Sequence, residues 1–128
     1  TIAGGNNWKQ IQTGYKHSGG IKNDGTLWMW GKNGYGALGV GTNELGRSSP
    51  VQTIAGGSNW KQLSIKGTST GAIKTDGTLW TWGYNTYGNL GTNDRTNRSS
   101  PVQTVAGGTN WKQVTCGYGL STGIYFSD

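Results

Sequence analysis

Apolar and polar positions alternate along this chain over short runs that Gly, Asp or Asn interrupt, and that period of two predicts strands. Leu63 and Ile65 alternate with Gln62 and Ser64, and Val114 and Cys116 do the same, so strands are expected over Trp60 to Ile65 and Trp111 to Cys116, with a counterpart over Trp8 to Thr13. A second strand is expected over Gly19 to Lys22, Gly71 to Lys74 and Gly123 to Phe126. Asn23-Asp24-Gly25 and Thr75-Asp76-Gly77 come next. Asp-Gly between two alternating runs predicts a type I′ hairpin turn, because both residue types tolerate positive φ. In the third strand, Leu27 and Met29 fall on one face and Trp28 and Trp30 on the other. Polar loops from Lys32 to Ser49 and from Tyr84 to Ser100 then lead to a fourth strand opened by Ser49-Pro50-Val51-Gln52 and Ser100-Pro101-Val102-Gln103. Proline is tolerated there, at a strand start or on an outer edge, where its missing N–H breaks no ladder. No segment carries the apolar 3.6-residue spacing of a helix.

The strands recur as a block. Asn7-Trp8-Lys9-Gln10 returns as Asn59-Trp60-Lys61-Gln62 and Asn110-Trp111-Lys112-Gln113, at spacings of 52 and then 51 residues. A period of that length marks propeller blades or stacked arrays, whose units bury their apolar faces only against neighbours. Four strands per period make one antiparallel blade per period. The 128 residues therefore divide into a repeat over 1–52, a second over 53–103 and a partial third over 104–128, or about two and a half blades. Asp128 matches Asp76 and Thr1 matches Thr53, so copies laid end to end lack the stretch holding the Trp-x-Trp strand. A segment of a longer repeat protein is expected, with self-assembly of a small chain as the alternative; either way neighbouring blades, of the same or another chain, complete the fold.

Composition agrees with this all-β reading. The 25 Gly recur at matched places and read as tight turns, while seven Trp and six Tyr supply the apolar surface that a short supply of aliphatic residues does not. Only 12% of residues are charged, yet the net charge is +6, which allows an anionic partner. Lys9, Lys61 and Lys112 fall at equivalent positions, as do Lys22 and Lys74, so the cations spread around a ring instead of forming a patch. A single cysteine, Cys116, leaves no intrachain disulfide, and no apolar run reaches the length of a membrane span.

The runs Gly14-Tyr15-Lys16-His17-Ser18 through Asp24-Gly25-Thr26-Leu27-Trp28-Met29-Trp30-Gly31, then Tyr35-Gly36-Ala37-Leu38-Gly39, then Ser49-Pro50-Val51, resemble the repeat of the regulator of chromosome condensation (RCC1-like) family. Tyr87-Gly88-Asn89-Leu90-Gly91 and Val114-Thr115-Cys116-Gly117 carry the same elements. The resemblance covers essentially the whole chain and implies a β-propeller of four-stranded antiparallel blades, seven to a ring. It implies little about activity, since the scaffold hosts many functions. One departure is Lys66, which stands where Gly14 and Gly117 stand in the other repeats. Nucleotide exchange on a small GTPase and ultraviolet sensing occur in relatives, but the short polar loops here lack the exchange factor's face loops. Tyr15 also stands where the photoreceptor motif has Trp. Neither activity carries over.

Candidate chemistry is sparse. Gly34-Tyr35-Gly36-Ala37-Leu38-Gly39 matches a dinucleotide fingerprint formally, but no helix pattern follows it to receive a phosphate, so it reads as a turn. The acids are Asp24, Asp76, Asp128, Glu44 and Asp94; the first three sit at hairpin turns, and no paired-carboxylate site emerges. His17 is the only histidine, with Ser69 in its place one repeat later, and a packing or hydrogen-bonding role is expected. Cys116 reads as a small core residue. No catalytic residue, metal site or cofactor is expected. The sequence points to a non-enzymatic interaction module whose loops present Tyr35, Asn85, Tyr87 and Asn89 to a protein or glycan. Near-identical, charge-poor repeats look similar to bacterial and phage-encoded members of the family, which suggests an appendage on a virion or extracellular surface. The alternative is a nucleic-acid or acidic-polymer binder using the ring of Lys9, Lys61 and Lys112.

Overall fold

A computed structural model describes residues 7–43, 45–116 and 122–126, with backbone alone for 115, 116 and 122–126. The strands β1 (Trp8–Thr13), β2 (His17–Lys22), β3 (Leu27–Gly31) and β4 (Arg47–Gln52) form one antiparallel sheet in chain order. A second sheet repeats it with β5 (Trp60–Lys66), β6 (Ser69–Lys74), β7 (Leu79–Gly83) and β8 (Arg98–Gln103), and β9 (Trp111–Cys116) pairs with β10 (Thr122–Phe126). The second and fourth strands of a blade begin two residues before the expected Gly19, Gly71 and Ser49 positions, at His17, Ser69 and Arg47, because ladder pairing continues to Gly31 and Gly83 at the end of each third strand. Lys66, in place of a glycine, simply extends β5 by one residue and pairs with Ser69.

The hairpin turn is not type I′. Gly25 and Gly77 have φ of 86° and 85°, but neither Asp24 nor Asp76 has positive φ. The amide of Gly25 donates to Lys22 O at 2.9 Å, and Lys22 N to Thr26 O at 3.0 Å. This is a three-residue loop, a tight turn followed by a left-handed glycine. The aspartate earns its place otherwise: Asp24 Oδ1 accepts from Thr26 N at 3.0 Å and from Thr26 Oγ1 at 2.6 Å, and Thr26 Oγ1 in turn accepts from Trp28 Nε1 at 2.8 Å. Asp76, Thr78 and Trp80 repeat the relay at 3.0, 2.6 and 2.8 Å. Asp-Gly-Thr-Leu-Trp is thus one device that sets the turn and satisfies an indole N–H.

The core lies between sheets. Ile21, Leu27, Met29 and Leu38 of the first blade join Trp60, Leu63, Ile65, Ala72 and Trp82 of the second in one buried cluster, and Ile73 and Leu79 meet Val114 at the next seam. The first strands β1, β5 and β9 are neighbours in space, and each would otherwise leave one edge of backbone groups unpaired. Gln10 closes that edge: its Nε2 donates to Leu63 O and its Oε1 accepts from Leu63 N, both at 3.0 Å. Gln62 Oε1 accepts from Val114 N at 2.9 Å one blade later. Strand direction alternates, so the β1–β2, β3–β4, β5–β6 and β7–β8 connections share one end of the blades, the loop end, and the Asp-Gly turns and interblade links share the other.

If the glutamine clasp closes the seam, Gln10→Ala strands a buried N–H and C=O of Leu63, and the unfolding free energy falls by about 2 kcal/mol. Gln12→Ala, on the same strand with no clasp, shifts it by less than about 0.5 kcal/mol. Urea midpoints for the two variants check this, and equal midpoints would show that water satisfies the β5 edge as well as Gln10 does.

Candidate functional site

Each β3–β4 type loop is folded around a buried asparagine. Asn33 Oδ1 accepts from Leu38 N at 3.1 Å while its Nδ2 donates to Thr42 O at 2.8 Å. Asn85 repeats the bond with Leu90 N at 3.0 Å, and its Nδ2 reaches Thr92, Asp94 and Thr96. With its ends fixed in this way the first loop makes a single 3-10 turn at Gly34–Gly36 and tucks into the seam, where Gly41 N donates to Ser99 O at 2.7 Å. Ala37 O accepts from both Trp82 Nε1 at 3.0 Å and Thr70 Oγ1 at 3.2 Å. The Gly-rich run is a structural turn, as its sequence context indicates.

The turn throws Tyr35 outward. Its φ of 59° is left-handed, a conformation that costs a side-chain-bearing residue about 1–2 kcal/mol. The ring stands edge-on to Tyr84 of the second blade at 4.8 Å, and Tyr84 stands edge-on to Tyr87 at 5.9 Å. Tyr35 and Tyr87 are 48% and 62% exposed, so an aromatic row crosses the seam at the surface. Beside it a cavity of about 170 Å³ is lined by Tyr15, Lys16, Lys32, Tyr35 and Thr68, with His17 among its walls. Lys32 N donates to Lys16 O at 2.9 Å, which joins the backbones of the two residues, and Lys16 Nζ lies 5.3 Å from the Tyr15 ring centre.

The structure sorts the sequence candidates. Tyr35 and Tyr87 come together on this surface. Asn85 does not: it is fully buried and its amide is spent on the loop. Asn89 is also turned inward, its Nδ2 donating to Ser69 Oγ at 2.9 Å and Tyr84 O at 3.0 Å. The match between Asn33 and Asn85 one repeat apart was the signal of a structural role. Lys9, Lys61 and Lys112 are exposed near the opposite, turn end, each the extra residue of a β-bulge on a first strand. Lys22 and Lys74 sit over tryptophans, Lys22 Nζ 4.6 Å from Trp28 and Lys74 Nζ 4.3 Å from Trp80, and so belong to the fold. Glu44, Asp128 and the side chain of Cys116 lie outside the described residues. Tyr15 and Lys16 belong to the Gly14-Tyr15-Lys16-His17-Ser18 motif but were not named as partner-binding residues, nor were Lys32 and Tyr84, because no single repeat or motif joins the four.

His17 is buried as expected, and its bonding fixes its tautomer. Its Nε2 lies 3.2 Å from Thr70 Oγ1, whose proton is given to Ala37 O, so Nε2 carries the hydrogen. Burial lowers the imidazole pKa from 6.5 to about 4. Asp24 and Asp76 are held below the usual carboxylate range by the Thr26 and Thr78 hydroxyls, and Asp94 by the Thr92 hydroxyl.

The repeat described as the regulator of chromosome condensation (RCC1) repeat matches residues 24–71 and 76–124, and a second form of it matches 8–37. The ultraviolet-B receptor UVR8 of Arabidopsis thaliana is 33% identical over 120 residues, which cover 93% of this chain and 27% of the receptor. Human WBSCR16 superposes with a TM-score of 0.75 at 27% identity, over 87% of this chain and 29% of that one. Prp20p of Saccharomyces cerevisiae, whose structure is described together with its binding to Gsp1p and histones, superposes with a TM-score of 0.76 at 16% identity, over 87% of this chain and 29% of that one. The chain therefore spans less than a third of the length of these proteins.

The unfolded chain takes up a proton on His17 near pH 6.5 and the folded one only near pH 4, so the contribution of His17 to stability falls as pH drops through that window and changes no further below it. The expected loss is up to about 3 kcal/mol. Urea unfolding of the protein and of His17→Gln at pH 7 and pH 4 checks this: the variant should lose markedly less than the parent across the same interval.

Proposed function

The chain belongs to the regulator of chromosome condensation (RCC1) repeat family, and from that premise we propose that it is a non-catalytic protein-interaction module whose seams hold a fixed loop surface against a protein partner. The observation that carries this reading is the Tyr35–Tyr84–Tyr87 row, exposed at the seam and continuous across two blades. Tyrosine anchors offer a large contact area, a polar tip and few rotatable bonds, which is why interfaces are rich in them. The binding of Gsp1p and histones by Prp20p supports a protein as the kind of partner.

Among the described residues, the histidine and the three aspartates support this reading by being committed to the fold. His17 is hydrogen-bonded to Thr70, Asp24 and Asp76 hold the Thr-Trp relays, and Asp94 is bound by Thr92, Thr96 and Arg98. The relatives named above are eukaryotic, and the reading does not extend to a phage or surface appendage. Nor does it depend on Lys9, Lys61 and Lys112, which lie at the other end. On this reading Gln113 of β9, exposed and equivalent to Gln10 and Gln62, would clasp the first strand of a neighbouring blade of the same or another chain.

Tyr35→Gly separates binding from folding. It relieves the left-handed backbone and gives up the edge contact with Tyr84, about 1–2 against about 0.5–1.5 kcal/mol, so stability stays within about 1 kcal/mol of the parent. In quantitative affinity capture from cell extract, proteins retained by the parent should be lost from Tyr35→Gly/Tyr87→Ser and kept by Lys9→Ser/Lys61→Ser. Retention by the tyrosine variant at parental levels would remove the loop end from consideration.

A further inference from the structure

The two ends of the blades differ in charge as well as in shape. Lys16, Lys32, Arg47, Lys66, Arg95 and Arg98 all fall at the loop end. Asp94 is the one acid described there, and it is already taken: Arg98 Nη2 lies 2.5 Å from Asp94 Oδ2, and the other oxygen accepts from Thr92, Thr96 and Asn85. At the turn end, by contrast, Asp24 and Asp76 stand close to Lys22 and Lys74, and those two lysines are held over tryptophan faces. Lys9, Lys61 and Lys112 are exposed at the turn end as well, but they are spread one to a blade, so among the described residues the larger excess of positive charge lies at the loop end, beside the tyrosine row.

It is sharpest in the cavity. Lys16 and Lys32 sit on paired backbone, line the same cavity of about 170 Å³ and are both exposed, and neither has a carboxylate partner among the described residues. Two ammonium groups lining one cavity repel one another, and an anion bound there relieves that repulsion. Tyr15 and Tyr35 wall the same space and would cover the apolar stem of an incoming side chain. Neutral glycans are usually held by carboxylates and amides facing sugar hydroxyls, and here Asp94, Asn33 and Asn85 are engaged within the loops and the Asn89 amide is buried. An acidic polypeptide has the matching chemistry.

We propose that the Tyr15–Lys16–Lys32–Tyr35 cleft receives a carboxylate side chain of an acidic peptide segment, with the segment continuing along the Tyr84–Tyr87 row. This deepens the protein-interaction reading and rests on it. The lysine pair selects the charge, and the tyrosines supply contact area that does not weaken with salt.

A short fluorescein-labelled peptide of alternating Glu and Ala, titrated with the protein and followed by anisotropy, tests the proposal against the same peptide with Gln for every Glu. The Glu peptide should bind about tenfold tighter or better, and Lys16→Gln/Lys32→Gln should remove that preference. Lys9→Gln/Lys61→Gln, which lowers net charge equally at the turn end, should leave it intact. Equal loss in the two double variants would reduce the effect to net charge and overturn the cleft. Tighter binding of heparin or duplex DNA through Lys16 and Lys32 would overturn the peptide assignment, as would binding of chitohexaose with no Glu preference. If the tyrosine variant loses captured proteins but the Glu peptide does not bind the parent, the interaction reading stands and the acidic specificity falls.

Discussion

A blade of this kind has apolar side chains on both faces and an unpaired first-strand edge, and the seam with the next blade must satisfy all of these together. It does so with few residues. Trp82 is fully buried at the seam while its indole donates to Ala37 O, Leu38 and Leu63 fill the space behind it, and Gln10 bonds both backbone groups of Leu63. Approach is close enough to forbid side chains at the turn: a Cβ on Gly25 would lie 1.9 Å from Ser58 O, and one on Gly77 would lie 1.8 Å from Thr109 O. Those glycines are therefore required twice over, by positive φ and by the neighbouring backbone.

Most of the fold was legible because the repeat exposes the seam's requirements as recurring words. Asn-Trp-Lys-Gln marks the first strand and its clasp, and Asp-Gly-Thr-Leu-Trp marks the hairpin and its indole. What period-two patterning located was the strand; what it could not supply was the partner of each polar residue. A glutamine in an alternating run looks like a solvated position, and only the neighbouring blade shows that it closes an edge. The turn type was missed for a similar reason. Asp-Gly satisfies a type I′ turn in principle, but here Asp24 keeps negative φ so that its carboxylate can meet Thr26, and the glycine alone takes the left-handed position.

The candidate surface was legible only in part. Tyr35 and Tyr87 were found as aromatic residues on the long loops, yet the same reasoning promoted Asn85 and Asn89 as polar loop residues, and these two are loop-forming. A polar side chain in a loop is ambiguous from sequence: it faces solvent, or it substitutes for missing backbone pairing. Asn85 does the second with its whole amide. Lys16 and Lys32 belong to different connections of one blade, with Tyr84 on the next, and nothing in a linear reading brings them to one cleft.

Burial at the seam and exposure at the loop end are two consequences of one arrangement. The groups that lock the first β3–β4 loop, Asn33 below and Ala37 O against Trp82 and Thr70, lie within a few residues of Tyr35. A loop fastened so near its tip has little freedom to lose when something binds, and the ordering cost that weakens most flexible loops is largely met in advance by folding. The same fastening sustains the left-handed backbone at Tyr35, which an untethered loop would relax by rotating the ring away from Tyr84. Rigid display is thus a property of the pair of blades: neither the first blade, which carries Tyr35, nor the second, which carries Tyr84 and Trp82, holds the surface without the other.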